Sequence, residues 1–159
     1  MCAKAVALAA RPEGMPKTSD FQIVDIESND PADGEIQVKN ICMSVDPYMR
    51  GRMVDRKSYV PAFQIGEPLT GGAIGKVIKS AHPDFKEGDF VSSHWGWRDG
   101  FTARAEGIER LGEIVAPASE YLGAIGMPGM TAYAGLLEVG ALKDGETVFV
   151  SGAAGAVGS

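Results

Sequence analysis

The chain has 159 residues, 45% hydrophobic and 23% charged, enough to bury a core and unlike disordered, collagenous or coiled-coil compositions. Its formal charge of −6 at pH 7 argues against nucleic acid or an anionic membrane as partner, because both reward clustered Lys and Arg. Two cysteines, Cys2 and Cys42, lie far apart without a Cys-x-x-Cys, which makes a poor disulfide framework and fits a reducing compartment.

The opening "MCAKAVALAARPEG" holds a short apolar run bracketed by Lys4 and Arg11, without the basic start and long apolar core of a signal peptide. No apolar run reaches the roughly 18 residues of a membrane-spanning helix. A cytoplasmic protein is expected. "KAVALAARP" reads as a strand stopped by a proline, and "FQIVDIE" as an alternating strand stopped by the turn cluster "SNDPADG". "EIQVKNICMSV" is a long strand with Ile36, Val38, Asn40 and Cys42 on one side. The dense basic stretch "MRGRMVDRK" reads as a solvated loop.

"GGAIGKVIKS" is a strand entered through glycines, and "AHPDFKEGD" is a further turn-rich loop. "FVSSHWGW" and "FTARAEG" read as two strands joined by the turn signal "RDG". Short strands spaced by Gly, Pro and Asp loops predict a barrel or sandwich. Composition changes near Pro117. In "ASEYLGAIGMPGMTAYAGLLEVGAL" the residues Leu122, Ile125, Met130, Tyr133, Leu136 and Leu137 fall at helical spacings. Ser119 is a candidate N-cap, and Pro128 suits the first turn of a second helix.

The end of the sequence is "TVFVSGAAGAVGS", an apolar β-branched run leading into closely spaced glycines. A parallel strand, a glycine turn and a helix N-terminus together hold pyrophosphate in dinucleotide-binding folds, because small residues let the backbone amides approach the phosphates. Here the spacing is Ala153-x-Gly155-x-x-Gly158, with alanine where the first glycine is usual and Gly152 just before it. Such a turn is a weak signal alone. One strand over 147–151 makes no sheet, so a longer parent protein is expected.

At "SVDPYMRGRM", residues 44–53, the pattern becomes specific. With "GMPGMTAYAGL", "AAGAVGS", "LAARPEGMP", "SYVPAFQIGEPLTGGAIGKVIKS" and "GDFV", the chain resembles the zinc-independent medium-chain reductases. The branch it resembles is the prostaglandin reductase, leukotriene B4 12-hydroxydehydrogenase and curcumin reductase group. The resemblance implies a mainly β fold with some α: a GroES-like β-barrel catalytic domain over 1–118, connecting helices over 119–146, and at 147–159 the start of an NADP-binding Rossmann domain. It also implies NADPH as cofactor, a small α,β-unsaturated carbonyl compound as substrate, and a full-length homodimer paired through the cofactor domain.

Reduction of such a substrate places hydride on its β-carbon while negative charge develops on the carbonyl oxygen, which a hydrogen-bond donor stabilises. A phenol suits this role, since its ordinary pKa of about 10 keeps it protonated at neutral pH. By resemblance Tyr48 matches a tyrosine beside the active-site cleft and Tyr59 one of the substrate pocket; both also fit as structural aromatics at a loop–barrel junction. Met127 and Thr131 match residues against the nicotinamide, or serve as helix packing and a helix hydroxyl. Gly155, Ala156, Val157 and Gly158 match the phosphate turn. The resemblance leaves the proton donor unidentified.

Zinc-dependent relatives carry a cysteine near the position of Cys42 and a later Gly-His-Glu, whereas "IGEPLTGG" has no histidine. One cysteine cannot supply three protein ligands, so no metal site is expected and Cys42 reads as a small buried residue. His82, His94, Ser93 and Asp99 include the residue types of a hydrolase triad, but no Gly-x-Ser-x-Gly elbow supports one. Trp95 and Trp97 are expected to cover the barrel. Two other readings stay open: a quinone reductase on the same scaffold, and a non-catalytic barrel retained for binding.

Overall fold

The computed structural model describes residues 2–58 and 60–158. It divides into two compact units, Met1–Ile114 and Val115–Ser159.

In the first unit the alternating segments become strands. β1 (Cys2–Leu8) pairs antiparallel with β2 (Phe21–Glu27), with Cys2 opposite Glu27 and Leu8 opposite Phe21. β3 (Glu35–Met43), β4 (Ala73–Ser80), β5 (Phe90–Ser93), β6 (Gly100–Arg104) and β7 (Glu109–Gly112) form a second sheet in the order β6-β3-β4-β5-β7. Isolated bridges join β1 to Arg98, Pro68 and Ile65, in the segments that lead into β6 and β4.

Two apolar clusters fill this unit. Ile36, Val38, Val77, Val91, Phe101 and Ile108 form one, and Leu8, Met49, Met53, Phe63 and Leu69 form the other. β3 lies between β4 and β6, and its Ile36–Val38 stretch is buried on both faces, Gln37 included. A buried amide needs partners. The Gln37 side chain finds them by donating to the Ser28 carbonyl at 2.9 Å and the Asn29 carbonyl at 3.1 Å. Where β3 crosses β4, a Cβ on Gly75 would stand 2.4 Å from Val38 Cγ1 and 2.9 Å from the Lys39 carbonyl oxygen, so only glycine fits.

Two expectations change in this unit. β5 and β6 do not form a hairpin; β5 joins β4 and β7, while β6 joins β3. The "RDG" turn between them instead carries the chain to β1, where the Asp99 carboxylate accepts the Lys4 amide at 2.8 Å. A local turn signal says where a chain bends, not which neighbour its strands choose. β3 also departs from strict alternation, because its register against β4 shifts between Asn40 and Cys42 and leaves Cys42 half-buried.

The second unit differs more from its pattern. A 3-10 turn spans Ala118–Leu122, preceded by Pro117, so Ser119 lies inside it and is not its cap. The helix α2 (Met127–Tyr133) starts with a proline in its first turn, as expected, and passes into a π-helical turn over Ala134–Val139. Residues 147–150 form no strand. A strand exists by virtue of a ladder, and no described residue pairs with this segment. Gly152 adopts a φ of +67°, the left-handed conformation that glycine enters without steric cost.

Candidate functional site

In the first unit the Ser44–Met53 segment leaves the end of β3 and turns into the short helix α1 (Tyr48–Arg52). Ser44 opens the turn: its amide donates to the Gly72 carbonyl at 2.8 Å and its hydroxyl donates to the Asp46 carboxylate. The Asp46 carbonyl then accepts the Met49 amide at 3.0 Å. Pro47 precedes the helix with φ near −55°, the value its ring imposes. Met49 faces inward at 2% exposure, whereas Tyr48 is 41% exposed. Sequence neighbours on a helix face different ways, so burying Met49 turns Tyr48 outward.

The basic stretch is not a solvated loop. Arg50 donates through Nη2 to the Gly14 carbonyl at 2.7 Å and the Pro12 carbonyl at 3.3 Å. Arg52 donates through Nε to the Pro61 carbonyl at 3.0 Å and through Nη1 to Thr70 Oγ1 at 3.1 Å, with its guanidinium 4.0 Å from the Phe63 ring centroid. Arg11 reaches the Met53 carbonyl at 3.1 Å. Three fork-shaped donors thus lash α1 to the loops at 12–14 and 61–70. Sequence showed the charges, but nothing in the spacing showed that backbone carbonyls would receive them.

On the other side of the turn stands the 94–97 segment. Trp97 has a φ of +59°, which costs a bulky residue roughly 1–3 kcal/mol. Its amide donates to Met43 Sδ at 3.0 Å, its indole Nε1–H donates to Met49 Sδ at 3.4 Å, and its carbonyl accepts the Val6 amide at 2.8 Å. Trp95 stacks on Phe101, with centroids 5.5 Å apart. Arg98 lies 4.9 Å from the Trp95 ring and donates to the Leu69 carbonyl at 2.9 Å; burial pulls its pKa below the usual arginine value. The Asn40 side chain bridges the Trp95 and Arg98 carbonyls at 2.8 and 2.9 Å. Both tryptophans therefore cover the barrel, as expected. The role of Asn40 was not visible in the sequence, where it reads only as one more residue on the Ile36, Val38 and Cys42 side of the strand.

The other predicted residues stand as follows. Tyr59 lies outside the described residues. Met127 and Thr131 belong to α2 in the second unit; Met127 is exposed, and the Thr131 hydroxyl donates to the Met127 carbonyl at 2.8 Å. Ala156 and Val157 line a cleft of about 420 Å³ with Ser119, Gly129 and Ala132. Gly155 is exposed, its amide donating to the Gly152 carbonyl at 2.8 Å. Gly158 lies against the turn, where a Cβ would stand 2.5 Å from the Gly152 oxygen. Gly155 therefore stands exposed in a turn of small residues, with its amide engaged inside the turn. The Ser93 hydroxyl accepts the Trp95 amide at 3.3 Å, and His82 Nδ1 accepts the Asp84 amide at 3.2 Å. No hydrogen bond joins a serine to a histidine side chain among the described residues.

A family model described as the N-terminal domain of oxidoreductase matches residues 4–111. The chain belongs to this oxidoreductase family. It is 41% identical over 152 residues to the NADPH-dependent curcumin reductase of Escherichia coli (strain K12), covering 96% of this chain and 44% of that one. To the NADP(+)-dependent 2-alkenal reductase of Nicotiana tabacum it is 44% identical over 162 residues, covering 98% and 47%. The crystal structure of CurA in complex with NADPH from Vibrio vulnificus superposes with a TM-score of 0.87 at 40% identity, covering 98% of this chain and 46% of that chain. This family member therefore spans less than half the length of the curated relatives it matches. The zinc-independent medium-chain reductase family and its GroES-like N-terminal domain, expected from the motifs, are both what the comparisons find.

In this family member the Cys42 thiol is held above its ordinary pKa, chiefly because burial disfavours the thiolate. A thiolate is the form that binds metal. Among the described residues no group of three or more His, Cys, Asp and Glu is placed to hold a metal ion, and no helix is long and apolar enough to cross a membrane.

Proposed function

We propose that this chain is the catalytic-domain portion of an NADPH-dependent reductase acting on the carbon–carbon double bond of α,β-unsaturated ketones and aldehydes. Residues 1–118 are assigned to the catalytic domain, 119–146 to the connection and 147–159 to the start of the cofactor domain. The names of its relatives, a curcumin reductase and a 2-alkenal reductase, support the substrate class. The observation that carries the reading is the outward-facing Tyr48 on a helix lashed by Arg50 and Arg52.

When bound, NADPH supplies the hydride that adds to the substrate's β-carbon. Tyr48 donates a hydrogen bond to the carbonyl oxygen as negative charge develops there, and Tyr59 is assigned to the substrate pocket on the resemblance of its motif alone. A donor held rigidly before the charge appears need not reorganise during reaction, which is where such groups gain their effect. Gly155, Ala156, Val157 and Gly158 are assigned to the phosphate turn, where small residues let the backbone come close to the diphosphate, and Met127 and Thr131 flank the nicotinamide. The expected assembly is a homodimer in the cytoplasm.

The test is NADPH oxidation by the full-length protein against enals, cyclic enones and quinones. Turnover of enals or enones is expected, and Tyr48→Phe should lower kcat by roughly 100-fold, the usual scale for losing one such donor. Turnover confined to quinones, or NADPH binding without turnover of any acceptor, would overturn the reading.

A further inference from the structure

Trp97 is the least comfortable residue of the barrel. A tryptophan stands in the left-handed region at φ +59°, although Gly96, its immediate neighbour, is the residue type that adopts that conformation freely. Strain of this kind persists only where the surroundings hold it in place, and it gathers at working parts of proteins. The surroundings here are specific. The Trp97 amide donates to Met43 Sδ and its indole N–H to Met49 Sδ, at 3.0 and 3.4 Å. These methionines sit at opposite ends of one loop: Met43 ends β3, and Met49 follows Tyr48 on α1. A single residue from a distant segment therefore clips both ends of the loop that carries Tyr48.

The floor of the clip is built to match. A Cβ on Gly71 would stand 2.4 Å from Met49 Cε and 3.5 Å from Trp97 Nε1, so the thioether is seated between a bare backbone and the indole edge. Thioether sulfur is a weak acceptor and methionine a flexible side chain. Filling a core would require neither the strained backbone nor the N–H, since a phenylalanine or leucine fills space as well. What both contacts add is direction: beside the arginine bonds, which fasten α1 to its loops, they bear on the rotation of α1 and with it the angle at which Tyr48 leaves the helix.

We infer that Trp97 is a positioning residue for the reductase site, acting through Met43 and Met49 to orient Tyr48. This rests on the proposed role of Tyr48, and the experiment separates the two. In the full-length protein, Trp97→Phe keeps an aromatic ring but removes the indole donor, while Met49→Leu keeps the volume but removes the acceptor. Each should lower kcat about tenfold with KM nearly unchanged, the pattern of a misdirected group and not of lost substrate binding. The double variant should be no worse than the poorer single one, because both changes delete the same contact. In a Tyr48→Phe background neither change should lower kcat further.

Folded Trp97→Phe and Met49→Leu proteins with unaltered kcat, alongside a Tyr48→Phe that is impaired, would overturn the positioning role and leave Tyr48 standing. An unimpaired Tyr48→Phe would overturn the Tyr48 reading itself. Equal losses with and without Tyr48 would show that Trp97 acts on the barrel generally, which also overturns the inference. Should Trp97→Phe fail to fold, the volume-conserving Met49→Leu decides the matter alone.

Discussion

The two units use apolar residues in opposite ways. Among the described residues, the buried hydrophobic ones all fall between Ala3 and Ile108, in the first unit. In the second, Met127, Met130, Tyr133, Val139 and Phe149 are all more than half exposed, Phe149 at 92%. Both sequences carry regular apolar periodicity, yet among the described residues only the first is closed over by a second layer. Periodicity states which face an element offers; burial needs a facing partner. The candidate residues divide along the same line, with Tyr48 on the packed unit and the glycine turn on the open one.

The largest break in this contrast should come from cofactor binding: the 159 residues alone should bind NADPH weakly or not at all, and isothermal titration giving sub-micromolar affinity would contradict the assignment of 147–159 as only the start of a cofactor domain. Core deletions come next. Leu69→Ala, at a fully buried site, should destabilise the first unit by roughly 2–5 kcal/mol in urea unfolding. Val139→Ala, at an exposed one, should stay within about 0.5 kcal/mol; a comparable loss at both sites would erase the distinction between the units.

Gly75→Ala should cost about 1–3 kcal/mol by overpacking, because its Cβ meets the Lys39 carbonyl at 2.9 Å, where the backbone does not easily yield. The smallest effect concerns the thiols. Burial raises the Cys42 pKa, so its protonated form is the one favoured by folding. That contribution is present below the ordinary thiol pKa of about 8.5 and fades as pH rises through the folded value. Thiol labelling near neutral pH should modify the exposed Cys2 well before the half-buried Cys42; equal rates would show Cys42 to be open.

Most strand positions in the first unit were legible from alternation or from sharp Gly, Pro or Asp ends, whereas the short β7 carried no such signal and was missed. β2 falls on "FQIVDIE" residue for residue. Pairing was not legible: nothing in "FVSSHWGW" says that β5 will choose β7 over β6. The "TVFVS" segment shows the converse, since strong β propensity formed no strand where no described residue completes a ladder. Of the candidate site, Tyr48 and the glycine turn were named from motifs. Trp97 carried no signal beyond being an aromatic near a strand end. Its left-handed backbone and its two sulfur partners, 54 and 48 residues away, exist only after the sheets close.

By itself the sequence determined the family, the β-rich body with a helical region after it, and the residue types a reductase needs. Those depend on local period, turn chemistry and motif, which the chain carries wherever it goes. Tertiary structure alone decided that β3 runs between β4 and β6, that three arginines fasten α1, and that Trp97 spans the Tyr48 loop. Such contacts join residues far apart in the chain, and their geometry is set by how the sheets pack, not by any neighbour in sequence.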